Sequence, residues 1–123
     1  MVLMGTKLVI VDDAPFIREV IKNVFLKTDI EVVGEAEDGE EAVKVALEVN
    51  PDVVLMDMVM PKKNGIDATQ EILAKRPTTK IVACSTADQE MVLVEALEAG
   101  CCSFLVKPFN AKSLEKAIRD AVK

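Results

Sequence analysis

The chain has no histidine, tryptophan or tyrosine, and only four phenylalanines among its 123 residues. Without imidazole it has no histidine general base and no phosphohistidine of its own. Zinc sites that need histidine are excluded too, and three cysteines fall short of an all-thiolate site, which needs four. Those thiols, Cys84, Cys101 and Cys102, are odd in number and build no disulfide framework, which suits a reducing cytosol. No apolar run approaches the roughly 18 residues of a membrane span. The stretch from Met1 to Val11 lacks the small-residue cleavage pattern of a secretory leader. Basic residues are in deficit, 15 against 21 acids, and the net charge of −6 repels nucleic-acid backbones and anionic lipid alike. There is no linker, repeat or low-complexity segment. The expectation is a single domain over residues 1–123, cytoplasmic and monomeric, with no direct nucleic-acid binding and no membrane insertion.

What is present is an alternation. Five short apolar runs rich in branched residues read as buried strands: Leu8 to Val11, Val32 to Gly34, Val53 to Met56, Ile81 to Cys84 and Phe104 to Val106. Between them lie segments with helical spacing, such as Ile17, Ile21, Val24 and Phe25, or Leu114, Ala117, Ile118 and Ala121. The punctuation agrees. Asp38 with Glu41 forms a capping-box pattern, Asn50-Pro51 stops a helix, Gly100 suits a helix C-terminus, and Asn110 caps the last helix. Strand and helix in strict succession predict an α/β fold, a doubly wound five-stranded parallel sheet with five helices. Such a sheet places its ligand outside the carboxyl ends of its strands.

The residues that follow the runs are therefore the candidates. Asp12 and Asp13 follow the first, Asp57 the third, Ser85 the fourth and Lys107 the fifth. Taken singly, each has a plainer explanation: Asp13 precedes Ala14-Pro15 and serves equally well as a helix cap, Ser85 as a turn residue, Lys107 as a surface lysine. For Asp57 a functional role is favoured over the alternative of a helix or loop cap, because its neighbours from Val53 to Met60 are apolar and an unpaired buried carboxylate costs several kcal/mol, on the order of the usual desolvation penalty. The conjunction carries the inference. Clustered carboxylates without imidazole or thiolate suit a hard divalent cation, Mg2+ with Mn2+ as the alternative. A carboxylate beside such an ion can attack phosphorus and form an aspartyl phosphate, with a lysine and a hydroxyl neutralising the equatorial oxygens. The chain has no Walker loop and no dinucleotide fingerprint, so the phosphoryl group must come from elsewhere.

Asp12-Asp13, Asp57-x-x-Met60-Pro61-x-x-x-Gly65, Ser85 and Lys107-Pro108-Phe109 together resemble the receiver domains of two-component response regulators, in order and in spacing, over nearly the whole chain. The resemblance implies a flavodoxin-like sheet of strand order 2-1-3-4-5. It implies that Asp57 takes a phosphoryl group from a histidine kinase, and that Asp13, Asp57 and the backbone carbonyl of Val59 ligate the cation. Asp12 would then reach the ion through water. Lys107 would contact the phosphoryl group and precede a cis Pro108; Ser85 would be the switch hydroxyl, with Thr86 as runner-up, and Phe104 the aromatic that swings inward.

Polar side chains that position water in some relatives are replaced here by Val59 and Ala87, so slow hydrolysis of the phosphoprotein is expected. Cysteines and the methionines Met56, Met58 and Met60 are expected to pack rather than react. Output would pass through the face from Asp88 to Lys123, with Glu90, Glu95, Glu98, Lys112, Glu115, Lys116 and Arg119 exposed. Stretches such as Asn64 to Ala68 resemble single-domain chemotaxis-type (CheY-like) receivers, whose partners are a histidine kinase and an output protein such as a flagellar motor switch component. The alternatives are a phosphorelay intermediate serving a phosphotransfer protein, an excised receiver of a DNA-binding or methylesterase regulator, and, more remotely, a magnesium-dependent phosphatase. In the receiver readings the chain is a signalling protein whose only chemistry is on itself.

Overall fold

Each of the five apolar runs is a strand, and the strand ends reach beyond the runs. The computed structural model describes residues 5–60 and 62–123; Met1 to Met4 and the Pro61 of the Asp57 motif lie outside the described residues. In order come β1 (Lys7–Val11), α1 (Pro15–Phe25), β2 (Glu31–Ala36), α2 (Gly39–Val49), β3 (Val53–Asp57), α3 (Gly65–Lys75), β4 (Lys80–Thr86), a 3-10 turn (Ala87–Gln89), α4 (Glu90–Ala99), β5 (Ser103–Lys107) and α5 (Ala111–Ala121). All neighbours pair in parallel, in the order β2-β1-β3-β4-β5.

The period of two in each strand sorts the core into two layers. Val9, Val54, Met56, Ile81 and Ala83 pack with Ala42 and Ala46 of α2, Ala68 and Ile72 of α3, and Leu93 and Ala96 of α4. The alternate residues Leu8, Ile10, Leu55, Val82 and Cys84 pack with Ile21 and Phe25 of α1 and with Leu114 and Ile118 of α5. Because both faces are covered, the central strands show no polar alternation, which is why they read as continuous apolar runs. Strand order reverses between β1 and β3, and the loops that leave the carboxyl ends of these two strands form the crevice there.

Helix punctuation follows the sequence with two exceptions. Asn50 (φ 48) and Gly100 (φ 117) both end their helices in the left-handed region, where glycine is the residue without a Cβ penalty. Asn110 and Ser113 form a reciprocal capping box at α5. Asp38 caps α2 by accepting the Glu41 backbone N–H at 2.9 Å, but the return bond from the Glu41 side chain is not made. Asp13 does not cap α1: Ala14 occupies that position and contributes no side-chain bond. Among the described residues no helix is long and apolar enough to cross a membrane.

The Glu41 backbone N–H holds the Asp38 carboxyl below its ordinary range, against a smaller opposing effect of burial. Asp38→Ala is expected to cost about 1 kcal/mol, the usual worth of an N-cap, read as a fall of about 4 °C in Tm. Asp38→Asn keeps the cap geometry and loses only the charge. A folded pKa below the unfolded one stabilises above the unfolded value and is lost as pH falls through the folded value. The wild-type advantage over Asp38→Asn should therefore be full at pH 7 and close below about pH 4.

Candidate functional site

The carboxyl edge of the sheet gathers the charged candidates. Asp12 follows β1, Asp57 ends β3 and Lys107 ends β5, all three on the parity that faces α1 and α5. One oxygen each of Asp12, Asp13 and Asp57 lies within 4.8 Å of the others. Lys107 Nζ donates to Asp12 Oδ2 at 2.8 Å and to Asp57 Oδ2 at 3.3 Å. Asp12 and Asp57 are buried, whereas Asp13 is exposed and opens the cluster to solvent.

Local contacts fix these groups. Asp57 Oδ1 accepts the Val59 N–H at 3.1 Å, which turns the chain at the end of β3. The Val59 side chain lies exposed. Gly65 opens α3 directly against this turn: a Cβ there would sit 2.5 Å from the Asp57 carbonyl oxygen and 2.7 Å from Met58 Cα. Both are backbone atoms, so a side chain at 65 would displace the segment that carries Asp57. Asp12 is held at four points. Its N–H donates to the Ala36 carbonyl, Oδ1 accepts the Ala14 N–H, Oδ2 accepts Lys107, and its carbonyl accepts Arg18 Nη1.

The electrostatics follow from burial. Desolvation pushes the Asp57 carboxyl above its ordinary range; Lys107 and the Val59 N–H pull it down without cancelling that effect, and Asp12 adds to the rise. Burial alone would lower Lys107, but the hydrogen bond to Asp12 and the charge of Asp57 prevail and its ammonium is stabilised. Three carboxylates converging with one open to water, and no thiol grouped with them among the described residues, form a donor set for a hard cation such as Mg2+ or Mn2+. The nearby Met56 and Met58 are packed in the core, and thioethers do not ligate such ions.

The hydroxyl candidates separate. Ser85 is buried and shares the α4 side of the sheet with its register partner Val106 and with Phe104. Its Oγ donates to Gln89 Oε1, which also accepts the Thr86 N–H at 3.2 Å. Thr86 is exposed and its hydroxyl turns to Asp88. Phe104 is 46% exposed, so its ring lies outward. Lys107-Pro108 is cis. Of the expected exposed face, Glu90, Glu95, Glu98, Lys112 and Lys116 are exposed, while Glu115 and Arg119 are half-buried because Arg119 binds both Glu115 and Asp29, each at 2.8 Å. Cys84 and Cys101 are buried, with their thiols pushed up by desolvation, Cys101 to about 11; Cys102 is exposed. Sequence reasoning missed Gln89 and Arg18. The pattern Thr86-x-x-Gln89 is a legible capping-box signal; nothing comparable marks Arg18.

The fold and site define a class of small doubly wound proteins with an acidic, cation-suited pocket closed by a lysine. The response regulator receiver domain profile matches residues 8–119, and the chain belongs to that family. It is 46% identical over 117 residues to the chemotaxis protein CheY of Listeria monocytogenes, across 95% of this chain and 98% of that one. The response regulator domain of Thermotoga maritima CheB superposes with a TM-score of 0.88 at 37% identity, covering 96% of each chain. The receiver domain of the sensor histidine kinase PA1611 from Pseudomonas aeruginosa, whose structure has a magnesium ion coordinated in the active-site cleft, gives a TM-score of 0.85 at 28% identity, covering 96% of this chain and 98% of that one.

A folded-state pKa above the unfolded one means that ionised Asp57 opposes folding at neutral pH, and that this penalty fades as pH falls through the folded value toward the unfolded one. In chelator at pH 7, Asp57→Asn is expected to melt above wild type, with the gap closing as the buffer approaches pH 4. Paired thermal scans across that range check it; a variant that melts lower at pH 7 would contradict the electrostatic account.

Proposed function

We propose that the chain is a phosphorylation-activated switch, with Asp57 accepting the phosphoryl group of a histidine kinase's phosphohistidine. The observation that carries this reading is the shared ammonium of Lys107 between Asp12 and Asp57, beside an Asp13 open to solvent. An Asp57 oxygen forms a bond to phosphorus as the phosphorus–nitrogen bond of the donor breaks, and the imidazole leaves with a proton. Burial raises the basicity of Asp57, and the Lys107 ammonium opposes that rise. Mg2+, when bound by Asp13, Asp57 and the Val59 carbonyl, with Asp12 beyond a water, supplies charge neutralisation for the transferring group. Lys107 exchanges its carboxylate partners for phosphoryl oxygens.

Readout belongs to the opposite face of the sheet. Ser85, drawn toward the phosphoryl group, leaves Gln89 and vacates space behind it; Phe104 turns inward. That changes the groove between α4 and β5, about 400 Å³ lined by Ala87, Glu90, Leu93, Val94, Leu97, Phe104 and Val106. The likeness to a chemotaxis protein over nearly full length supports an output partner in motility control, such as a flagellar motor switch component.

Intact-mass measurement after incubation with Mg2+ and acetyl phosphate tests the acceptor. Wild type should gain one phosphate; Asp57→Asn and chelated wild type should gain none. An adduct that persists in Asp57→Asn places the acceptor elsewhere. With Val59 and Ala87 unable to orient water through their side chains, the aspartyl phosphate should outlast that of Val59→Asn, and a wild-type lifetime of only seconds would contradict this.

A further inference from the structure

Helix α1 begins without a side-chain cap, since Ala14 is its N-cap residue. The N-cap side chains that hold the starts of α2, α3 and α5 have no counterpart at the start of α1. The Ala14 N–H and Lys107 hold the Asp12 carboxylate, and its carbonyl is held from within the helix. Arg18, one turn in, extends back along α1, donates Nη1 to the Asp12 carbonyl and places Nε 3.1 Å from Glu35 Oε1 on β2. Its side chain is 15% exposed, and Glu35 is also bound by Lys22 at 2.9 Å. A planar guanidinium serves a carbonyl and a carboxylate together through donors held in a rigid fork, whereas an ammonium is a compact charge on a flexible stem.

We propose that Arg18, anchored by Glu35, is a positioning residue for the cation site: it fixes the Asp12 peptide and through it the direction in which Asp12 and Asp13 present their carboxylates. The proposal rests on the reading of this cluster as a Mg2+ site. Charge alone gives the opposite expectation, which makes the role separable. Removing a cation near three carboxylates should tighten Mg2+ binding by simple electrostatics; removing the group that orients them should weaken it.

The test is calorimetric titration of folded protein with MgCl2, on wild type, Arg18→Ala, Arg18→Lys and Glu35→Gln, with amide hydrogen exchange on the same samples without metal. Arg18→Ala should raise the Mg2+ Kd about tenfold, in line with other groups that orient ligands from behind. Arg18→Lys and Glu35→Gln should weaken binding in the same direction. Exchange at Ala14 should accelerate in all three variants while Val9 and Leu55 stay protected. An unchanged or tighter Kd in Arg18→Ala overturns the proposal; should that variant fail to fold, unchanged binding in both Arg18→Lys and Glu35→Gln does so. If wild type shows no Mg2+ binding, the cation-site reading fails instead, and unaltered Ala14 exchange in the variants then overturns the positioning role by itself.

Discussion

The ammonium of Lys107 is the constraint on which the carboxyl edge of this sheet depends. Three strands deliver charged side chains to one point because a parallel sheet ends all its strands on the same side. Like charges about 4 Å apart repel by about 4 kcal/mol at an effective dielectric of about 20. One lysine contacting two of the carboxylates offsets much of that repulsion. Removing the lysine would leave two buried carboxylates without their cation, at a cost on the order of 3–5 kcal/mol. The edge is thus stable enough to fold and still short of positive charge. That imbalance suits the edge to a divalent cation; the upward pull on Asp57 comes first from burial, with the Asp12 charge a smaller contribution.

The same geometry divides labour between the two sides of the sheet. Alternation sends Asp57 and Lys107 toward α1 and α5, and Ser85, Phe104 and Val106 toward α4. Ser85 is the residue of the second set placed nearest the first, next in chain to Cys84, which is in register with Asp57. A change on the acidic side can therefore be felt beyond the sheet through a single side chain, without any strand moving. The Gln89 carboxamide, which binds both the Ser85 hydroxyl and the Thr86 N–H, ties that side chain to the 3-10 turn that leads into α4.

How much of this could be read from the chain depended on what leaves a periodic or compositional trace. The strand cores, helix stripes and caps at Asn50, Gly100 and Asn110 were legible because burial and backbone geometry restrict residue type at those places. Asp57 was legible as a carboxylate in an apolar run, a costly placement unless something pairs with it. The ends of β2 and β4 were not, since Glu31, Glu35, Lys80 and Thr86 pair through backbone groups that any residue carries. Asp13 stood equally as a cap or a ligand, because the sequence shows its nearness to Pro15 but not that Ala14 takes the N-cap position. Arg18 left no trace: its partners are a carbonyl and a residue 17 positions away.

Burial of Asp57 serves two ends that oppose each other. It costs stability, because the ionised group would be better solvated outside the fold. It also raises the basicity of the oxygen that attacks phosphorus in the proposed transfer, and excludes water that would weaken the charge interactions around it. Full burial would go too far and leave the acid protonated and inert. Lys107 and the Val59 N–H limit the shift, and exposed Asp13 keeps a path by which solvent and ions enter. The site therefore sits between the environment of a solvated carboxylate and that of a fully buried one. The position between them is set by the ammonium that Asp12 and Asp57 share.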